Sequence, residues 1–268
     1  MKHITGFIQT APLWKNEQFS LEQFEFPIVS LDDFNPKPIA SHLRLGHQIE
    51  YICKQLLEHS ERYKVIAHNI QVKKEKITIG ELDFIITDSF RESIPIHIEL
   101  TYKFYIIDPT ISEPIHRLMG PNRNDMFFSK IEKTRDKQLP LAHTTEGEKA
   151  LSRLSINHEV LEQKVCFLGQ LFMPYGTESP PIRPLNPACI VGFWMRFEEF
   201  KSSKFQSYEF YLTQKHEWLH EPHLNVPWKS HFRILMDITI KLLKLRAPLI
   251  WVKKENGILE KGFVVWWS

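Results

Sequence analysis

Two stretches, Ile79–Thr87 (IGELDFIIT) and Pro95–Ile106 (PIHIELTYKFYI), decide how the chain folds. In the second, Ile96, Ile98, Leu100, Tyr102, Phe104 and Ile106 alternate with His97, Glu99, Thr101, Lys103 and Tyr105, the period of a strand with one face toward a core and the other free for chemistry or water. The first alternates in the same way, with Leu82, Phe84 and Ile86 on one face and Glu81, Asp83 and Ile85 on the other. The intervening Asp88–Ile94 is short enough for an antiparallel hairpin. A hairpin symmetric about Arg91 sets Asp83 opposite Glu99 on one face, with side chains ~5 Å apart. Two carboxylates that close repel unless something compensates them, and a hard divalent cation such as Mg²⁺ or Mn²⁺ suits such oxygen ligands. Lys103, on the same face, offers a positive charge to a phosphate or an attacking water. The plainer alternative is a solvated sheet face on which Lys103 pairs with Glu81.

Outward from the hairpin, Leu45, Ile49, Ile52, Cys53 and Leu56 recur at helical spacing and predict a helix over Ile39–Ser60, just after Asn35-Pro36 and Pro38. Gly46 is expected to let its first turn approach a sheet, and Glu50, at the border of the apolar stripe, becomes a third candidate carboxylate. A surface pair with Lys54 is the alternative for Glu50. A strand is expected over Lys64–Val72, a helix over Asn124–Leu139 ending before Pro140, and a strand over Lys164–Met173. Pro174, Pro180, Pro181, Pro184 and Pro187 then mark a linker between lobes. The expected division is therefore a core over residues 1–174 and a C-terminal α+β lobe over 175–268. In that lobe, Ala188–Phe197 and Ser207–Thr213 look like paired strands, His231–Leu245 an apolar helix and Gly262–Trp267 a terminal strand, with most tryptophans expected in the core or at the lobe interface.

Composition excludes several classes. With 268 residues, 43% hydrophobic and 25% charged, the chain can bury a sizeable core and is neither fibrous nor disordered. A formal charge of +2 excludes a chain-wide polybasic binder, so nucleic-acid contact would need a local basic face. Cys53, Cys166 and Cys189 are widely spaced without CxxC pairing, which suggests neither a disulfide framework nor a zinc site and favours a reducing compartment. No signal-like N-terminus or apolar run long enough for a membrane span is found, so a soluble cytoplasmic protein is expected.

The order helix with Glu50, strand, Gly80-Glu81-Leu82-Asp83-Phe84, strand His97–Tyr105 (HIELTYKFY), helix, strand resembles the PD-(D/E)XK nuclease superfamily. More narrowly, GELDF, HIELTYKFY and the later GPNRNDMFFSKIEKTRDKQL resemble a bacterial family, domain of unknown function 1853, assigned to that superfamily. The likeness runs from IQTAPLW near the start to Trp218-Leu219. It implies a restriction-endonuclease-like core, a mixed central sheet flanked by helices, in the α/β (α+β) class. It further implies Asp83 and Glu99 as metal ligands, Glu50 as an additional acid and Lys103 as the motif lysine. One position departs from the superfamily pattern: where the lysine usually stands, two residues after the acid, this chain has Thr101. Lys130, Lys133 and Lys137 on the following helix, with Gln138, are the alternative source of groups at the phosphate.

His216-Glu217-Trp218-Leu219-His220 matches the HExxH pattern of zinc proteases, but the preceding strand-like segment and Pro222 leave no room for the long helix that chemistry needs. The match is taken as coincidence. No Walker A, GxGxxG or GxSxG motif occurs. The expected function is a Mg²⁺- or Mn²⁺-dependent nuclease acting on DNA or RNA, the competing class a catalytically inactive nuclease-like module binding nucleic acid or a protein.

Overall fold

The computed structural model describes residues 1–40, 42–91, 94–178 and 181–267. Ser41 of the expected first helix, residues 92 and 93 of the hairpin loop, and Pro180 lie outside the described residues. In chain order the elements are α1 (Lys2–Gln9), β1 (Glu17–Gln18), β2 (Leu21–Glu22), α2 (Leu45–His59), β3 (Tyr63–Lys74), β4 (Ile77–Asp88), β5 (Pro95–Ile107) and β6 (Leu118–Met119). They continue with α3 (Phe127–Lys133), α4 (Thr145–Ser152), β7 (Glu162–Pro174), β8 (Ile190–Arg196), α5 (Phe197–Phe200), β9 (Glu209–Leu212), β10 (Lys229–Ser230), α6 (His231–Leu243), β11 (Leu249–Lys253) and β12 (Leu259–Val265). The class is α+β, with a large mixed sheet flanked by helices.

The chain divides into two compact units, neither of them one continuous segment. One comprises Pro12–Tyr102 and Ser129–Leu168, the other Met1–Ala11, Lys103–Phe128 and Gly169–Ser268. Strands β5 and β7 contribute residues to both, and the proline-rich stretch 174–187 lies inside the second unit.

In the Pro12–Tyr102/Ser129–Leu168 unit, β3, β4 and β5 are successive antiparallel neighbours. The β4–β5 register, Thr87↔Pro95 through Phe84↔Ile98, is the one that symmetry about Arg91 requires. Val72, Leu82, Ile85, Ala142, Leu151, Ile156 and Leu161 form a buried cluster of this unit. Gly80 of β4 permits a close approach, since a Cβ there would lie 2.4 Å from Leu141 Cδ2.

Two expectations about this unit are corrected. The β5 face carrying His97, Glu99 and Thr101 is buried, as are Ile96 and Ile98 of the other face, so this part of the strand is covered on both sides and the polar residues are not solvated. Gly46 mediates no close approach, since a Cβ there would meet nothing within 4 Å, and α2 begins at Leu45 rather than near Ile39.

The expected helix over 124–139 is α only over Phe127–Lys133. It then widens into a π-helical turn, Thr134–Gln138, and tightens into a 3₁₀ turn, Leu139–His143.

In the other unit the strand order is β10-β9-β11-β12-β8-β7, with β12–β8 and β8–β7 parallel. Strands β8 and β9 are therefore not partners, contrary to expectation, because β11 and β12 lie between them. Helix α6 buries Ile234, Ile238 and Leu242 against a core that includes Phe193, Phe200, Phe210 and Val264. Of the seven tryptophans, Trp14, Trp194, Trp251 and Trp267 are buried and the rest half-buried.

Candidate active site

All components of the site belong to the Pro12–Tyr102/Ser129–Leu168 unit. Continuing the β4–β5 register one step past Phe84↔Ile98 sets Asp83 opposite Glu99, and here side chains enter the ladder. The Leu100 backbone N–H donates to Asp83 Oδ2 at 2.8 Å. The backbone of Asp83 in turn hydrogen-bonds the Glu99 carboxyl. Each carboxylate is thus held by the partner strand's backbone, which fixes it without a flexible loop.

Glu99 is 1% exposed and has two further partners. Oε1 lies 3.0 Å from His97 Nε2, and Oε2 accepts from Gln138 Nε2 at 2.5 Å. The His97 tautomer follows from its other neighbour. Gln163 Nε2 lies 3.2 Å from His97 Nδ1 and donates to the Leu139 carbonyl at 2.6 Å, so with an amide donor at Nδ1 the ring proton sits on Nε2 and points at Glu99. Burial pushes the imidazole down to about 4, so His97 is a neutral donor at physiological pH. Gln138 is held through Oε1 by Lys130 Nζ at 2.7 Å and Thr134 Oγ1 at 3.2 Å. A continuous α-helix would turn ~800° in eight residues and leave Gln138 ~80° away from Lys130 around the axis. The wider π turn takes up that offset, an insertion of the kind found at functional sites.

Both acids titrate high. Burial, then the Glu99 charge and more weakly Glu50, raise Asp83 to about 8, against the Leu100 N–H and Lys130, which favour its ionised form. Burial raises Glu99 to about 7, opposed by Lys130, the Asp83 backbone and Lys133. The pair therefore retains a proton near neutrality, with the charge on the better hydrogen-bonded Glu99.

The residues singled out from the sequence are distributed as follows. Asp83, Glu99, Gln138 and Lys130 are brought together, with Gln138 engaged by Glu99 and Lys130. Lys133 contributes its charge to Glu99 and is exposed, as is Lys137. Glu50 influences Asp83 electrostatically, but its Oε2 is held by His47 Nδ1 at 3.2 Å and Asn69 Nδ2 at 3.3 Å. Lys103 belongs to the other unit and pairs there with Asp125 at 2.5 Å, not with Glu81. His97, Thr134 and Gln163 were missed. His97 was discernible as the polar residue two before Glu99 on the same strand face; Gln163 left no local mark.

Among the described residues no group of three His, Cys, Asp or Glu is arranged to hold a metal ion. A pair of buried carboxyls on facing strands still fits a hard cation that takes one or two carboxylates and keeps its waters. The HExxH sequence forms no helix of protease type. Residues Lys215–Leu219 are a 3₁₀ turn in which Glu217 caps its own N-terminus and accepts from Tyr211 Oη at 3.0 Å, while His220 Nε2 lies 3.0 Å from His3 Nδ1.

No curated protein and no solved structure matches the chain. The sequence description of one family, Domain of unknown function (DUF1853), matches residues 12–264, nearly the whole chain, and the protein belongs to that family.

Proposed function

We propose that this protein is a metal-dependent nuclease of the PD-(D/E)XK superfamily, with a restriction-endonuclease-like core and a cytoplasmic site of action. The observation that carries the reading is the buried Asp83–Glu99 pair, held by backbone N–H groups on two strands with both carboxyls raised by burial. Burying two carboxyls side by side is costly, and such arrangements cluster at functional sites. Asp83 and Glu99 would hold Mg²⁺ or Mn²⁺, which when bound supplies a water of lowered pKa and charge for the phosphoryl oxygens. The chain's own residues do the rest. His97 and Gln138 orient Glu99, and Asp83 gives up its proton when a cation takes its place. Lys130, steered by Gln138, sets a positive charge beside both acids where negative charge develops on the phosphate. Lys133 and Lys137 extend the basic face toward the nucleic-acid backbone. Glu50 biases Asp83 at longer range and orders solvent.

A second reading, an inactive module that binds nucleic acid or a protein, is favoured by Thr101 at the usual lysine position and by the hydrogen bonds already occupying both Glu99 oxygens. Mn²⁺ titration calorimetry, with cleavage of a mixed DNA and RNA substrate, separates the two. Binding and cleavage both lost in Asp83→Asn support the nuclease; no cleavage by the wild type with Mg²⁺, Mn²⁺ or Ca²⁺ supports the inactive module.

A further inference from the structure

Helix α6 is apolar on two faces. One is the buried row of Ile234, Ile238 and Leu242. Phe232, Met236 and Leu243, with Ile240 between them in the helix, are exposed by 85%, 72%, 78% and 48%. At ~100° per residue these four lie within an arc of about 80°, and Leu245, 63% exposed, follows the helix end. So large an apolar patch on one element marks an interaction surface.

The two borders of the stripe differ. Along one run Arg233 and Lys244, with Arg246 beyond, all exposed and, among the described residues, in no ion pair; Asp237 on that border is taken by Lys229 at 2.6 Å. Along the other is a groove of about 390 Å³ lined by Phe197, Thr239, Leu243, Leu245 and Trp266.

These features discriminate between occupants. A second copy packed antiparallel across the stripe, with Met236 against Ile240, brings Arg233 of each chain against Lys244 of the other, and like charges there oppose the dimer. A lipid surface matches the basic border but does not fill a concave groove. An amphipathic helix fills the groove with an apolar anchor, covers the stripe at i, i+4 spacing, and meets the basic border with carboxylates. We propose that α6 and the adjoining groove form a docking site for an amphipathic helix of a protein partner that is acidic along one border of its apolar face.

The test uses the full chain and two labelled helical peptides of about four turns. Both carry Leu at i, i+3, i+4 and i+7 with one Trp anchor; one has Glu and the other Lys along the border. In fluorescence anisotropy the Glu peptide should bind at least about tenfold more tightly than the Lys peptide. That binding should fall at least about tenfold in Met236→Glu and in the double variant Arg233→Glu, Lys244→Glu, with melting temperatures unchanged because all three positions are exposed. Equal binding of the two peptides, or no binding of either, overturns the proposal. So does a concentration-dependent dimer in sedimentation velocity that Met236→Glu abolishes, which gives the face to a second copy. Cosedimentation with vesicles of phosphatidylcholine and phosphatidylglycerol, lost in the same variant, overturns it in favour of a bilayer.

Discussion

His97 Nε2 lies 3.0 Å from Glu99 Oε1, two buried side chains on one strand, with the imidazole kept neutral by burial and its proton directed at the carboxylate by Gln163. A neutral donor steadies Glu99 without cancelling the charge that a cation would use. His97→Ala should weaken Mn²⁺ binding by ~10–100-fold, the scale at which an outer partner matters to a metal ligand. It should also cost ~1–3 kcal/mol of stability by leaving Glu99 and Gln163 short of a partner. His97→Gln should recover part of both. Titration calorimetry and urea unfolding check the two numbers, and an unchanged Mn²⁺ affinity in the alanine variant would separate His97 from the site.

The protons retained by Asp83 and Glu99 give the metal-free protein a pH signature. Both carboxyls titrate above their ordinary ~4, so between about pH 4 and about 8 the folded chain binds protons that the unfolded chain has released. Stability contributed by this pair is full below the unfolded value and is lost as pH rises through the folded ones. In chelator, the melting temperature of wild type should therefore fall from pH 6 to about 9 more steeply than that of Asp83→Asn, and Mn²⁺ should restore it at the alkaline end. Parallel wild-type and variant curves would remove the coupling.

Asp83→Asn in chelator near pH 8 should preserve or raise stability. It deletes one of two repelling charges while its Oδ1 still accepts from the Leu100 N–H. Asp83→Ala should be worse than Asn by ~1–3 kcal/mol, because the buried Leu100 donor then has no acceptor. Chemical denaturation of the two variants side by side distinguishes relief of repulsion from loss of a hydrogen bond.

Lys130 and Lys103 should part company in a cleavage assay. Lys130 reaches both carboxylates electrostatically, so Lys130→Met should leave Mn²⁺ affinity unchanged or tighter while lowering turnover by ~10²-fold or more. Lys103→Met removes a partly exposed pair with Asp125 and should cost ~0–1 kcal/mol with turnover little affected. A reversed outcome would return the motif role to Lys103.

The β4–β5 hairpin was legible because period-two alternation and loop length are local properties, and the register Phe84↔Ile98 follows from them directly. The burial of Glu99 and His97 was not, because it depends on what covers both faces of β5, including segments from residue 129 onward. For the same reason the strand pairing of β8 was misjudged: β11 and β12, from the end of the chain, stand between it and β9 in the sheet order. Helix α1 escaped notice because Lys2–Gln9 is short and contains Gly6 and three β-branched residues, a poor helical sequence that packing overrides. At the site, Asp83 and Glu99 were visible as a pair. Lys130 stood with Lys133 and Lys137 as an alternative to Lys103, and which of them acts on both acids was not legible, since that depends on the π turn that carries Gln138.

That turn behaves as a spacer of fixed gauge. Were Thr134–Gln138 to close into regular α form at the same length, Gln138 and everything after it would rotate by ~80° about the axis. The Gln138 amide and the Leu139 carbonyl would swing away together, freeing Glu99 on one side and Gln163 on the other. Asp83, Glu99 and Lys130 would all remain in the chain, so the alignment of acid and lysine rests on the width of this one turn as much as on side-chain identity.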